Sequence, residues 1–371
     1  VKKFNVVSHL IHVNVELEWS IYDRKGDLLL DKGACVTSLD QLNTLRKRGI
    51  YRLTDDPPDT GPPTQTAKNK LTVFDSVRKC ATQLEAILAG IAAGTLKNAN
   101  EKINALIKTI QTLCESNTDA MLGAVHLLHD IRYTAIHPLH KAILCGVVAS
   151  HLDLTAEQRF ALLAAALTGN VSVIKFQEEL RHQASPLTNA QWVAMKSHPE
   201  EGISMLKRVG VSHSLWFDII KQHHERADGS GYYGLTAKDI CQEARILGIA
   251  DVYSASVSPR AYRQSRLASE SLKDLFLDQG HLHDAQISLV LIKVLSVFPP
   301  GTFVRLDNKD VAIVIKRPAD NVMWPEVKSI LRANGEPYYN PVHRDTNQDG
   351  YGIKEMCRLE EKLPYNLSEI W

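Results

Sequence analysis

The chain has 371 residues, 44% of them hydrophobic, and its 43 Lys and Arg against 42 Asp and Glu leave a formal charge of +1. That length predicts two or three domains with a sizeable helical core, and the balanced charge excludes a broad electrostatic footprint for a nucleic acid polymer or an anionic membrane. Cys35, Cys80, Cys114, Cys145, Cys241 and Cys357 are scattered with no Cys-x-x-Cys pair, which excludes a disulfide framework or zinc knuckle and fits reduced thiols in the cytoplasm.

Residues 1–54 alternate short apolar and polar runs, such as Ser20-Ile21-Tyr22 and Asp27-Leu28-Leu29-Leu30 around the turn Arg24-Lys25-Gly26, and a helix is expected over Ser38 to Arg48. This reads as a small α+β unit. Between 55 and 68 Pro, Asp, Gly and Thr dominate, too little apolar surface to repay ordering, and a linker is expected. Residues 69–118 read as amphipathic helix with a break near Gly90 and Gly94, and helical periodicity then runs through an all-helical domain at 119–298. The longest charge-free apolar stretch, Phe160 to Ile174, is shorter than the ~18–20 residues of a spanning helix and is broken by Thr168, Gly169, Asn170 and Ser172. Neither a membrane anchor nor a signal peptide is expected. Pro299-Pro300-Gly301 closes the helical part, and Thr302 to Leu306 with Val311 to Ile315 predict a hairpin through Asp307-Asn308-Lys309-Asp310, opening a β-rich extension at 299–371. Within it Asp345-Thr346-Asn347-Gln348-Asp349-Gly350 matches the start of a calcium loop, but position twelve is Met356, so a solvated turn is expected.

The chemistry concentrates in His223-His224-Glu225-Arg226-Ala227-Asp228-Gly229-Ser230-Gly231-Tyr232-Tyr233, adjacent imidazoles leading into a glycine-rich turn. Ile219 and Ile220 precede His223 by four and three positions, which brings both rings toward the apolar helix face. His198 follows the capping sequence Thr188-Asn189-Ala190-Gln191 and immediately precedes Pro199; His137 immediately precedes Pro138. Proline favours the first helical position, so both histidines are expected at helix junctions. Asp251 falls four residues after Leu247 and seven after Ala244, a carboxylate on an inward stripe. Imidazoles and a carboxylate converging from separate helices suit iron, manganese, nickel or zinc; the bland alternative is that each histidine is a hydrogen-bonded core or surface residue.

Over about 119–318 these residues resemble the HD-GYP family, a branch of the HD-domain metal-dependent phosphohydrolases that cleave cyclic di-GMP. Tyr133 to His137 resembles its first histidine segment; Leu187-Thr188, Met195 to Pro199 and Gly202 resemble the middle one. His223 to Leu235 resembles the signature loop, and Ile249 to Tyr253 with Arg260 to Arg263 resembles the segment after it. The resemblance implies metal ligands at His137, His198, His223, His224 and Asp251. It also departs. Where the family has His-Asp and then Lys three residues on, this chain has Thr168, Gly169 and Ser172, and the last residue of Gly-Tyr-Pro is Tyr233. In active relatives that Asp bridges two metals, its neighbouring His binds one of them, and the Lys helps hold the substrate phosphate. His129-Asp130 precedes the first histidine segment and lacks the neighbours of such a pair.

The expected architecture is mainly α: an all-helical HD-type domain between a small N-terminal α+β unit and a small C-terminal β-rich extension. The expected activity is association in cyclic-di-GMP-related signalling, with at most one transition-metal ion and no two-metal centre. Arg260 and Arg263, with Gly231, Tyr232 and the amides of the Gly229 to Gly234 turn, are the expected contacts to cyclic di-GMP or another phosphate ligand. A signalling protein is the expected partner of the Gly231 to Tyr233 loop, with no nucleic acid polymer and no membrane. Two alternatives stand: a working phosphodiesterase with His140 or His129 as a replacement ligand, and a scaffold with neither metal nor nucleotide.

Overall fold

A computed structural model of the chain describes residues 2–5, 11, 17, 19–48, 50–54, 72–180, 182–259, 265–318, 322–360, 363 and 366–371. The expected linker at 55–68 lies outside them.

The N-terminal segment forms strands β1 (Lys2–Asn5), β2 (Ile21–Tyr22) and β3 (Leu28–Leu30), helix α1 (Leu39–Arg48) and strand β4 (Tyr51–Thr54), the strands pairing antiparallel in the order β1-β4-β2-β3. The Asp23 carboxylate accepts from the N–H groups of Lys25, Gly26 and Asp27 and so closes the expected turn. Ile11, Leu17, Ile21, Val36, Leu42, Leu45 and Ile50 make a separate small core.

Helix α2 (Val73–Ala93) starts at a capping box between Thr72 and Asp75 and ends at Gly94, whose φ of 69° is the left-handed turn that a glycine makes without steric cost. Gly90 stays inside the helix, so the break falls four residues later than its first candidate. Next come α3 (Ala99–Ser116), α4 (Thr118–Leu127), α5 (Tyr133–Ala149), α6 (Ala156–Thr168), a 3-10 turn at Val171–Val173, α7 (Ile174–Leu180), α8 (Asn189–Arg208), α9 (Ser214–Gln222), α10 (Gln242–Val257), α11 (Ala268–Leu277) and α12 (Ala285–Leu295). Helix α5 is buried almost all round, with α2, α3, α6, α10 and α12 packed on it, which is why it carries apolar residues on all sides, with Thr134, His137, His140 and Lys141 as its buried polar members. Among the described residues one run, Ala156–Leu180, is long and apolar enough to cross a membrane; 67% of its apolar window is buried inside this fold, and the chain breaks it after Thr168.

The two proline expectations are corrected. Helix α5 begins at Tyr133 and α8 at Asn189, so Pro138 and Pro199 lie inside helices and their preceding histidines do not sit at junctions. The Thr188–Gln191 capping box already starts α8 ten residues before Pro199, and a proline there removes one N–H from a helix that is already nucleated.

Beyond α12, strands β5 (Phe303–Leu306), β6 (Val311–Lys316), β7 (Glu326–Leu331), β8 (Pro337–Asp345) and β9 (Ile353–Cys357) form an antiparallel sheet in the order β8-β7-β6-β5-β9. The expected hairpin is β5–β6, with Phe303 opposite Ile313. Asp345 ends β8, its carboxylate accepting from Asn347 N–H, while Met356 lies in β9, so the calcium-like stretch is a turn between strands. The sheet is tied to the helices by Trp371, whose ring lies 5.1 Å from that of Phe74 and whose Nε1 donates to Ile315 O at 3.0 Å, and by an Arg317–Asp119 ion pair.

Candidate metal centre

Three imidazoles converge, one from α8 and two from the end of α9 and the turn beyond it. His198, in the middle of α8, is fully buried and its Nδ1 lies 2.6 Å from the carbonyl oxygen of Met195. That carbonyl is the one Pro199 leaves without its helical N–H, so the proline creates the acceptor that orients the ring. His223 caps α9, and its Nδ1 lies 2.6 Å from Ile220 O, in the last turn where helix carbonyls run out of following donors. A carbonyl only accepts, so both rings carry the proton on Nδ1 and present a bare Nε2 lone pair. Both Nε2 atoms are buried and, among the described residues, have no hydrogen-bond partner. His224 completes the group, its ring 5.0 Å from that of His198 and stacked at 4.6 Å on Tyr232. One ligand atom from each of His198, His223 and His224 lies within 4.8 Å of the others. Burial pushes the pKa of His198 down to about 4 and that of His223 to about 3, and it lowers that of His224 as well. The rings are therefore neutral at neutral pH, the state that ligates a metal. Two stranded lone pairs on rings oriented by backbone carbonyls fit an ion that imidazole suits, such as iron, nickel or zinc.

The other two expected ligands form a pair of their own. His137 Nε2 donates to Asp251 Oδ1 at 3.1 Å, its ring stacks on Tyr133 at 4.7 Å, and Ser254 Oγ lies 3.3 Å from Nδ1. The third member is one the sequence reading passed over. Lys141, 0% exposed, places Nζ 3.3 Å from Asp251 Oδ1 and 2.9 Å from Asn170 Oδ1. Burial opposes ionisation of Asp251, but Lys141 and then His137 outweigh it and hold its pKa well below the usual carboxylate value. The available signal was spacing: Lys141 is one helical turn after His137 on the same face of an apolar helix.

Between these groups stand residues 168 to 172. The Thr168 hydroxyl donates to Ala164 O at 2.7 Å and accepts from Trp216 Nε1 at 3.0 Å, a satisfied buried bond. A Cβ on Gly169 would lie 4.0 Å from His223 Nε2 and 3.0 Å from Ala165 O, so a side chain here would enter the histidine cluster. Ser172 Oγ donates to His198 O at 2.7 Å.

The signature turn is organised by Glu225, also unassigned by the sequence reading. It is buried and accepts from Tyr233 N–H and Leu235 N–H, each at 2.8 Å. Gly231 passes so close that a Cβ would lie 2.5 Å from Glu225 Cα. Tyr232 faces the histidines, whereas Tyr233 is 37% exposed with Lys221 Nζ 5.5 Å from its ring. Arg260 and Arg263 lie outside the described residues. The replacement ligands do not join the cluster: His129 sits edge-on to His140 at 5.7 Å and its Nε2 lies 3.0 Å from His126 O, while Asp130 pairs with Arg78 at the surface.

Comparison with known proteins agrees with this architecture. Residues 108–287 match the HD domain family. The cyclic di-GMP phosphodiesterase PA4108 of Pseudomonas aeruginosa is 26% identical over 232 residues, 62% of this chain and 56% of that protein. The 3'3'-cGAMP-specific phosphodiesterase 1 of Vibrio cholerae is 32% identical over 152 residues, 41% of this chain and 35% of that protein. The chain thus spans about half or less of the length of these relatives. Bd1817, an HDG"Y"P protein from Bdellovibrio bacteriovorus, superposes with a TM-score of 0.51 at 18% identity, over 79% of this chain and 99% of that one. The helical part has the HD-domain fold, with a β-rich extension after it.

Proposed function

We propose that this chain is a catalytically impaired HD-GYP protein that binds a cyclic dinucleotide in bacterial signalling in the cytoplasm, with residues 119–298 as the binding domain. The relatives act on cyclic di-GMP or 3'3'-cGAMP, and cyclic di-GMP is the ligand this reading takes first. The carrying observation is Gly169. The Cβ position there faces His223 Nε2, and in this reading it is the vacated place of a metal-bridging carboxylate. Two-metal hydrolysis requires two closely held cations to generate hydroxide and to neutralise charge developing on phosphate oxygens. A threonine engaged by Trp216 and a glycine supply no ligand for that purpose.

His198, His223 and His224 would hold a single ion, which would offer a Lewis-acidic contact to a phosphate oxygen. Arg260, Arg263 and the amides of the Gly229 to Gly234 turn are assigned the remaining phosphate contacts. The turn, held from below by Glu225 with Tyr233 outward, is the surface assigned to a signalling partner.

Calorimetric titration of cyclic di-GMP and of 3'3'-cGAMP, with hydrolysis assayed under reducing conditions with added manganese or iron, tests the proposal. Binding without turnover is expected. Turnover of about one per second or faster, an ordinary enzyme rate, overturns it, and failure to bind either dinucleotide overturns the binding function.

A further inference from the structure

We infer that Lys141 is a built-in cation: its ammonium occupies the half-site formed by His137, Asp251 and Asn170 and keeps a second metal ion out. The inference deepens the one-ion reading above and rests on it for the neighbouring histidine cluster, but it concerns a different group of atoms.

Three elements converge on this half-site. Helix α10 brings Asp251, α5 brings His137 and Lys141 a turn apart, and the residue after Gly169 brings Asn170. Asp251 Oδ1 lies 3.1 Å from His137 Nε2 and 3.3 Å from Lys141 Nζ, and Asn170 Oδ1 lies 2.9 Å from the same Nζ. Two oxygens from different elements therefore point at one nitrogen, with an imidazole alongside. A carboxylate, an amide oxygen and an imidazole form a donor set that suits a divalent cation as well as an ammonium. The ammonium is held by the fold, since the Lys141 side chain is 0% exposed. A buried charge persists only when paired, and Asp251 is the paired carboxylate. A divalent ion added at the same place would meet like charge in a site of low effective dielectric.

An ammonium already paired with a carboxylate offers no open coordination position, so it fills the half-site without activating a water. The result is a centre with one metal position and one fixed ammonium, without the second cation that cutting a phosphodiester requires.

Mn2+ alone is the ion for the test, its bound stoichiometry read by equilibrium dialysis and elemental analysis. Wild type is expected to hold no more than one Mn2+ per chain in excess metal, and Lys141→Met to hold one more than wild type. Adding Asp251→Asn to Lys141→Met should remove the gained ion. Two ions on wild type, an unchanged count in folded Lys141→Met, or a gained ion that survives Asp251→Asn would each overturn the inference. Should Lys141→Met unfold without metal, recovery of its thermal transition by Mn2+ that Asp251→Asn abolishes supports the inference, and a lack of recovery or a recovery that survives Asp251→Asn overturns it. A wild type with no ion removes the three-histidine reading, while a gain of one ion in Lys141→Met still stands for Lys141.

Discussion

His198 Nδ1 donates to Met195 O at 2.6 Å, and that carbonyl lies four residues before Pro199, which has no N–H to offer it. Helix geometry and ring orientation are thus one feature: the residue that interrupts the backbone ladder aims the imidazole.

Pro199→Ala restores an amide that competes for Met195 O, so the His198 ring loses its fixed tautomer. Metal affinity is expected to fall about 10-fold or more, the usual cost of losing a group that orients a ligand, with little loss of thermal stability because α8 gains a hydrogen bond. Competition with a chromophoric chelator measures the first and calorimetry the second; unchanged affinity would separate the proline from the site.

The metal-free protein should lose stability on acidification. His198 and His223 have folded pKa values near 4 and 3 against an ordinary 6.5, so between these limits the unfolded chain binds more protons than the folded one. Their contribution is complete above about pH 6.5 and is lost as pH falls toward 4, about 3 kcal/mol for His198 alone at 1.36 kcal/mol per unit. Denaturant melts in EDTA at pH 7, 6 and 5 should show a falling midpoint, and a flat profile would contradict the burial of neutral rings.

Glu225→Ala leaves Tyr233 N–H and Leu235 N–H without their acceptor beneath the loop. A cost of about 3–6 kcal/mol is expected from two lost bonds to a buried carboxylate. Amide exchange should accelerate at residues 231–235 while α5 and α10 stay protected; equal acceleration throughout would mean that Glu225 supports the whole domain rather than the turn.

Much of this organisation was legible because local chemistry agrees with the tertiary outcome. The Thr188–Gln191 capping box, the β5–β6 hairpin and the apolar stripe that carries Ile219 and Ile220 under the histidines each specify their structure within a few residues. What failed is what only tertiary contact decides. Pro138 and Pro199 read as helix starts because proline favours that position, yet α5 is buried almost all round and α8 is already started by its capping box, so both helices run through. Lys141 looks like any basic residue in a helix, and its burial depends on Asp251 and Asn170, 110 and 29 positions away. Thr168 reads as an empty ligand position, whereas it is the acceptor for the Trp216 indole.

Trp371→Ala should uncouple the sheet from the helices. The indole fills the space over Gly123, packs on Phe74 and donates to Ile315 O. Trp371 is only partly buried, so its removal should cost less than the about 3–5 kcal/mol of a core tryptophan, and the loss should make the melt of the β-rich extension precede that of the helical part. A single shifted transition would show that the two still unfold together.

Placing a carboxylate at Gly169 is the sharpest check on the proposed function. At Gly169 the backbone is ordinary helix, φ −56°, so Asp is allowed, and its Cβ would stand 4.0 Å from His223 Nε2 with one tight contact of 3.0 Å to Ala165 O. Gly169→Asp is expected to raise metal affinity at the histidine cluster with a modest loss of stability. Adding Thr168→His removes the Trp216 Nε1 acceptor, and an unsatisfied buried donor costs about 1–3 kcal/mol, so the double variant should melt lower than the single one even where it holds more metal. Lys141 still occupies the second half-site in both, so neither is expected to hydrolyse cyclic di-GMP until Lys141→Met is added. No increase in metal in either variant would mean that Gly169 does not stand where a bridging ligand belongs.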